Sequence, residues 1–171
     1  MIASVRAIFK QGGQGKVPVM VNEVIREALG FVHDELQGRR ISVQAELTTG
    51  LPPVLGHRGQ LQQVILNIVT NAAEAMQDVT DGPRVLRLRS AGSKPGDVLV
   101  TIEDSGVGID PKDFDRIFDA FYTTKPNGMG MGLAICRSIV ESHGGRLRVS
   151  PSSPRGAIFH MLLPAAEPSG E

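Results

Sequence analysis

The sequence predicts an α+β fold arranged as a two-layer sandwich, and two observations lead to this class. Apolar residues recur at helical spacing over 22–38, 58–77 and 133–144. The strand-like segments cluster late in the chain as antiparallel pairs and do not alternate one by one with helices. This arrangement favours a sheet covered by helices over a doubly wound parallel sheet.

The first half of the chain supplies two helices and a strand. The first helix is expected to take Asn22 as its N-cap and to end at Gly38. ISVQAEL at 41–47 alternates like a half-buried strand, and LPP at 51–53 interrupts it. The second helix then covers 58–77.

The second half begins with a predicted hairpin. RVLRLRS at 84–90 and DVLVTIED at 97–104 flank the turn-rich AGSKPG. Pro111 predicts a short helix that runs to about Phe118. The third long helix is expected to end at a Gly144 cap, before two closing strands, RLRVS and AIFHMLL.

Composition narrows the class of function. The 171 residues carry 18 basic and 18 acidic side chains, so no excess charge points to nucleic acid or a membrane surface. Cys136 is the single cysteine, which excludes an internal disulfide and favours a reducing compartment. No apolar run approaches the roughly 20 residues that span a bilayer. We expect a cytoplasmic domain, monomeric as an isolated chain, without nucleic-acid or membrane contact.

The helix over 58–77 has a polar face with two asparagines one turn apart. Its members are Gln60, Gln63, Asn67, Asn71, Glu74 and Asp78. A solvated face is the common explanation of such a stripe. Asparagine is a poor helix former, however, and an amide oxygen suits one position of a Mg²⁺ ion otherwise bound by waters and phosphate oxygens. On this helix alone both explanations stay open.

Two glycine clusters lie farther along the chain. In DSGVGI a strand delivers Asp104 to its end, where a carboxylate, which only accepts hydrogen bonds, can select the amino group of adenine. GMGMG at 128–132 runs into a helix, and bare backbone N–H groups at a helix start bind anions. An Asp-Gly turn and a plain flexible loop are the respective alternatives. Lys125 could reach a terminal phosphate, although an exposed lysine is more often only solvated.

Four ordered motifs are more specific than any one of them. NIVTNAAEAM, DSGVGI, FDRIFDAFYTTK and GMGMGLAI, followed by HGGRL, resemble the N box, first glycine box, F box and second glycine box of bacterial sensor histidine kinases. The resemblance is to their ATP-binding catalytic domain, covers about residues 17–163, and is greatest to the oxygen-sensing and nitrogen-regulatory subgroup. It implies the Bergerat fold of the GHKL superfamily, with a mixed, mainly antiparallel sheet covered by three helices.

The resemblance also implies residue roles. Asn71 would bind Mg²⁺, Asp104 would accept a hydrogen bond from adenine, and the expected catalytic residues are Asn67, Asn71 and Lys125. The residues expected to contact ATP and its Mg²⁺ are Asn71, Asp104, Gly106, Gly108, Ile109, Phe121, Thr124, Lys125, Gly128, Gly130, Met131, Gly132 and Leu133. A lid would lie between about Asp119 and Gly130.

Asn67 bears on the type of reaction. The resemblance places it where gyrase-type ATPases and heat-shock chaperones carry a glutamate that activates water. An amide cannot act as that base. Slow ATP hydrolysis, with transfer to a histidine instead, is therefore expected.

The implied function is a histidine kinase catalytic domain that donates the γ-phosphate of Mg-ATP to a phosphoacceptor and dimerisation domain, upstream of a response regulator. Residues 1–16 would be the tail of that dimerisation helix and a linker, 17–164 the catalytic domain, and 165–171 a disordered tail. The chain has no phosphoacceptor motif, and none of its histidines, His33, His57, His143 and His160, is a good acceptor. His143 suits the macrodipole at the end of the last helix.

Two alternatives remain at this stage. One is a degenerate module that senses ATP without transferring phosphate. The other is a GHKL-type ATPase without histidine kinase activity.

Overall fold

A computed structural model describes residues 15–93, 96–120 and 132–166. The helices are α1 Val21–Gly38, α2 Arg58–Ala75 and α3 Gly132–Ser142. The strands are β1 Val17–Val19, β2 Ser42–Leu47, β3 Val54–Gly56, β4 Val85–Ser93, β5 Asp97–Asp104, β6 Arg146–Pro151 and β7 Ala157–Leu163. Two 3₁₀ helices, Pro111–Asp113 and Arg116–Phe118, precede α3.

The main sheet confirms the predicted mixed, mainly antiparallel architecture. Its five strands have the order β2-β4-β5-β7-β6, in which only the β2–β4 pair is parallel. The predicted hairpin is β4 and β5, which pair from Leu86 opposite Asp104 to Ser93 opposite Asp97. β1 and β3 form a small separate antiparallel pair, which was not predicted because three-residue strands carry too little alternation to recognise.

One face of the main sheet packs against the helices and forms the core. The central strand β5 alternates, so that Val98, Val100 and Ile102 are buried and the residues between them are half-exposed. Asp104 continues this alternation and is itself buried, which places a carboxylate on the apolar side of the sheet. The position of the strand therefore fixes where the acid lies.

α1 begins one residue earlier than predicted, and its N-cap prediction was wrong. The residue that flanks α1 is Met20, which makes no side-chain capping bond. The Asn22 amide instead donates to the Thr48 carbonyl at 2.8 Å and accepts from the Ser90 hydroxyl at 2.6 Å. Asn22 thus joins α1 to the ends of β2 and β4, a tertiary contact that its cap propensity cannot reveal.

Two other segments differ from the sequence-based predictions. β2 is an edge strand exposed on both faces except at half-buried Leu47, and is not half-buried throughout. The predicted helix from Pro111 to Phe118 is two 3₁₀ turns, the second of which buries Ile117 and Phe118. The tighter turns allow these apolar side chains to reach the core within a short segment.

The described fold extends to Ala166. Ala165 bridges to Val54, and the Ala166 N–H donates to the Pro53 carbonyl at 2.8 Å. In the described part of the chain, no helix has the length and apolarity needed to cross a bilayer.

The Asn22 contacts give a stability test. We expect Asn22→Asp to lower the free energy of unfolding by about 0.5–1.5 kcal/mol, because the carboxylate cannot donate to the Thr48 carbonyl and would face it with a negative charge. An N-cap role would instead leave Asp as good as Asn. Urea unfolding of the wild type, Asn22→Asp and Asn22→Ala distinguishes the two roles, and an Asp variant as stable as the wild type would contradict the tertiary one.

Candidate functional site

The candidate site is centred on Asp104 at the end of β5. Its side chain is only 4% exposed, and its Oδ1 accepts the Gly106 backbone N–H at 2.8 Å. A second backbone donor is the N–H of Ala157, at the start of neighbouring β7. Two main-chain groups therefore orient the carboxylate, and its remaining lone pairs can accept from a ligand.

Burial controls the ionisation of Asp104. Desolvation raises the pKa of the carboxyl group from 3.8 to about 6, against the lowering effect of the Gly106 and Ala157 hydrogen bonds. Nearby Glu103 raises the pKa further. The group is thus an anion at neutral pH, but it takes up a proton on mild acidification.

The turn after Asp104 packs directly on the last turn of α2. The Val107 N–H donates to the Ala75 carbonyl at 3.2 Å. Gly106 lies so close to that residue that a Cβ would be 2.5 Å from the Ala75 oxygen. Only glycine fits where the two backbones approach so closely. This explains sterically why the first glycine of DSGVGI stands at position 106.

The second glycine of this turn meets the β6–β7 connection. Gly108 has φ +81°, and a Cβ there would lie 3.3 Å from the Gly156 carbonyl oxygen. Gly156 has φ +114° and itself passes against the Asp104 main chain. The predicted site residue Ile109 follows, half-buried against the core. Main-chain atoms of two connections, the turn after β5 and the β6–β7 connection, therefore pack together beside Asp104.

The predicted polar face of α2 is real, but its members differ in environment. Asn71 is half-buried one turn before Ala75, about 6 Å along the helix axis from this residue that contacts the glycine turn. Glu74 is half-buried, Gln60 is buried, and Asp78 is exposed beyond the end of the helix. The stripe is therefore not a simple solvated face.

Asn67 faces α3. Its Oδ1 accepts from Gln63 Nε2 at 2.8 Å, and its side chain also hydrogen-bonds the Cys136 thiol. Cys136 lies 3.8 Å from the Val64 carbonyl, and burial raises its pKa to about 12. The thiol therefore stays protonated and fixes the spacing between α2 and α3.

The start of α3 brings two more predicted residues to this region. Gly132 is exposed at the first position of the helix, and Leu133 packs half-buried against the core. Six predicted residues lie outside the described part of the chain, together with most of the predicted lid: Phe121, Thr124, Lys125, Gly128, Gly130 and Met131.

An aromatic cluster, Phe118 with Phe159 and Arg137, joins the 3₁₀ segment to α3. The Phe118 and Phe159 rings meet edge to face with centroids 6.3 Å apart. The Arg137 guanidinium carbon lies 4.5 Å from the Phe118 ring centroid, a cation–π geometry. Sequence reasoning missed Arg137, and the F-box phenylalanines were the only signal of the cluster.

Two of the histidine rings, those of His143 and His160, make hydrogen bonds within the fold. His143 Nδ1 bonds the Ile139 carbonyl at 2.8 Å, but its Nε2 accepts the His57 backbone N–H at 3.0 Å. The ring therefore acts as a neutral bridge and not as a cation at the helix end. His160 bonds the Ser150 hydroxyl through Nε2 at 2.8 Å, and His33 is exposed on α1.

Three features define a nucleotide-binding domain of the α+β sandwich type. They are the buried Asp104, the turn with Gly106 and Gly108, and helix α2 with the Asn71 amide. The family described as "Histidine kinase-, DNA gyrase B-, and HSP90-like ATPase" matches residues 56–167. The chain belongs to this family, and it is an ATP-binding domain of the histidine kinase type. The family resemblance read from the four motifs is thereby confirmed.

Curated relatives are sensor kinases. Sensor protein TdiS of Thauera aromatica is 37% identical over 87% of this chain, which spans 27% of that relative. Sensor protein FixL of Bradyrhizobium diazoefficiens is 32% identical over 98% of this chain, which spans 33% of FixL. The chain thus spans about a third or less of the length of these relatives.

Solved structures share the fold. The mycobacterial sensor histidine kinase MprB has a TM-score of 0.76 at 30% identity, covering 90% of this chain and 99% of that one. Full-length ShkA in complex with AMPPNP has a TM-score of 0.80 at 25% identity, covering 98% and 35%. Histidine kinase ThkA in complex with response regulator TrrA has a TM-score of 0.76 at 26% identity, covering 96% and 47%.

The close packing at Gly106 predicts a large effect of one methyl group. Gly106→Ala should destabilise the fold by about 2 kcal/mol or more and abolish nucleotide binding, since the methyl meets the Ala75 main chain. Gly92→Ala is the matched control, because a Cβ there meets nothing within 4 Å. Thermal unfolding and calorimetric nucleotide titration test both variants, and wild-type behaviour of Gly106→Ala would refute the packing argument.

Asp104 predicts a specific pH dependence of stability. Between pH 4 and 6 the folded state holds a proton that the unfolded state releases, so this group lowers the unfolding free energy as pH rises through its folded pKa of about 6. From pH 4.5 to 7.5, we expect Asp104→Asn to gain about 2 kcal/mol relative to the wild type. Urea unfolding at both pH values measures the difference, and equal profiles would exclude a buried, titrating acid.

Proposed function

We propose that this chain is the catalytic domain of a sensor histidine kinase, which binds Mg-ATP and donates the γ-phosphate to a histidine on a separate phosphoacceptor domain. The observation that carries the proposal is the contact between the Ala75 carbonyl and the Gly106–Val107 turn. It joins the end of α2, the helix that carries Asn71, to the turn that follows the buried Asp104. One ligand with a purine and a charged tail would span these groups.

Adenine recognition is assigned to Asp104. The ionised carboxylate can accept from the exocyclic amine of adenine and would oppose the carbonyl of guanine. The bare main chain at Gly106 and Gly108 leaves room for a flat ring beside it. Ile109 supplies an apolar neighbour.

A magnesium ion fits the oxygen donors on α2. Asn71 is a neutral amide, half-buried and one turn from the glycine turn, and Glu74 is half-buried on the same helix face. Mg²⁺ prefers oxygen ligands and keeps several waters, so a single amide with phosphate oxygens is an adequate donor set. The ion would neutralise phosphate charge, and Asn71 would hold and orient it.

Phosphoryl transfer asks for positioning and charge neutralisation, and hydrolysis asks in addition for a base that activates water. Asn67 carries an amide, which is not basic enough to take a proton from water, and its Oδ1 already accepts from Gln63. This environment supports transfer over an ATPase function. ShkA is in complex with AMPPNP, and ThkA is in complex with response regulator TrrA. These complexes support the proposal that ATP and a response regulator are partners of this chain as well.

We also propose a domain arrangement. Residues 1–16 are assigned to the tail of a dimerisation helix and its linker, and the catalytic domain begins near 17. Lys125 and the glycines at 128, 130 and 132 are assigned to the phosphate end of the nucleotide. We place the domain in the cytoplasm, where ATP and a response regulator are available.

Phosphate transfer gives the direct test. Incubated with γ-labelled ATP and Mg²⁺, the chain should not label itself, and should label a separately produced phosphoacceptor domain, taken in turn from TdiS and FixL. Asn71→Ala should reduce this labelling and the Mg-dependent ATP affinity by at least about tenfold, since it removes the metal ligand. Calorimetry with and without Mg²⁺ separates binding from transfer.

Gln62→Ala is the matched control, because Gln62 lies on the same helix but bonds Glu27 on α1. It should retain both activities. Rapid phosphate release without an acceptor would identify an ATPase, and tight binding without transfer to either acceptor would identify a sensing module. Unchanged Mg-dependent binding in Asn71→Ala would remove the metal role from Asn71.

A further inference from the structure

We propose that His143 is a positioning residue: its neutral ring locks the end of α3 to the start of α2, and protonation of the ring releases this lock and weakens nucleotide binding at acid pH. The proposal rests on the proposed nucleotide site, because α2 and α3 carry the groups assigned to it.

The hydrogen bonds of the ring define one protonation state. A backbone N–H can only donate, so the 3.0 Å contact from His57 N requires His143 Nε2 to be an unprotonated acceptor. A carbonyl can only accept, so the 2.8 Å contact to Ile139 requires a proton on Nδ1. The neutral Nδ1–H tautomer satisfies both bonds at a site that is only 5% exposed.

The surroundings are shaped to the ring. A Cβ at Gly56 would lie 2.6 Å from His143 Cδ2, so glycine is needed where β3 passes the imidazole. The His57 ring meets it edge to face at 5.8 Å. Lys16, beside β1, donates from Nζ to the Ser142 carbonyl at 2.6 Å. The last turn of α3 is thus tied to β1, β3 and the start of α2.

This lock supplements a second contact between the same helices. Cys136 touches Val64 and Asn67 in the middle of α2. His143 lies seven residues farther along the chain, about 10 Å along a helix axis. Two polar contacts at this separation add to the apolar packing between the helices and restrain the angle at which they cross, so that loss of the His143 contact makes a small pivot easier. A pivot would displace the start of α3 relative to Asn71.

Protonation would break the lock. A proton on Nε2 would face the His57 N–H, leaving two donors opposed. The titratable groups that face the ring, Lys16 and His57, both disfavour a positive charge on it, while Arg58 is directed to Glu27 and Glu23 on α1. Burial, with smaller effects of Lys16 and His57, lowers the pKa of His143 against the raising effect of the Ile139 bond. The stabilisation by the lock is therefore complete above the ordinary pKa near 6.5, decreases as pH falls from there, and is lost as pH passes through the lowered pKa.

The test uses variants that separate hydrogen bonding from titration. His143→Gln can still accept from the His57 N–H, but has no proton to gain in this range, and His143→Phe cannot accept at all. His57→Gln is the matched control, because it keeps the backbone donor and changes only the neighbouring ring. Each variant of the whole chain is studied between pH 5 and 7.5 by amide hydrogen exchange and by calorimetric titration with AMPPNP and Mg²⁺.

In the wild type and His57→Gln, protection of the residue 57 amide, corrected for intrinsic exchange, should fall at least about tenfold from pH 7.5 to 5, the change that equals 1.4 kcal/mol. In His143→Gln it should stay constant. The ratio of the wild-type Kd to the His143→Gln Kd should rise about fivefold over the same range. Protonation of Asp104 affects both proteins equally and cancels in this ratio.

Other outcomes are equally informative. Constant protection of residue 57 in the wild type would overturn the lock. A pH-dependent lock with a constant Kd ratio, or wild-type affinity in His143→Phe, would overturn its role in positioning the site. If no protein bound the nucleotide at any pH, the proposed function would fail, while the exchange data would still test the lock. If His143→Phe does not fold, the Kd ratio of the wild type to His143→Gln tests the positioning role.

Discussion

The contact on which the site depends is the one between the last turn of α2 and the glycine turn after β5. The Ala75 carbonyl would otherwise be an orphan acceptor at a helix end, and the Val107 N–H satisfies it. Because Gly106 has no side chain, the two backbones approach closely enough for this bond. A sheet strand and a helix that are distant in sequence, which carry Asp104 and Asn71, are thus joined through their backbones.

The burial of Asp104 shows a conflict between stability and binding. A carboxylate on the apolar side of a sheet is costly, and the elevated pKa of the group expresses that cost. Backbone donors from Gly106 and Ala157 reduce the penalty without neutralising the charge. The same desolvation strengthens a hydrogen bond to a ligand amine, because water does not compete for the acceptor.

The helices around the site are held by small polar contacts as well as by the core. Cys136 and Asn67 fix the middle of α2 against α3, and His143 joins their far ends. The Arg137 guanidinium stacks on Phe118, whose ring also meets Phe159 edge to face, and so anchors the 3₁₀ segment to α3. These contacts involve residues whose sequence signals are ordinary, since a cysteine, a histidine or an arginine on a helix has many possible partners.

The sequence by itself determined the three helices, the hairpin, the closing strands and the ordered motifs, because periodicity and glycine spacing are local properties of a chain. It also identified Asp104 and Asn71 as candidate site residues. Only the tertiary structure decided the role of Asn22, the exposure of β2 and the His143 bridge. Each depends on which distant backbone group a side chain meets, and sequence spacing does not encode that partner.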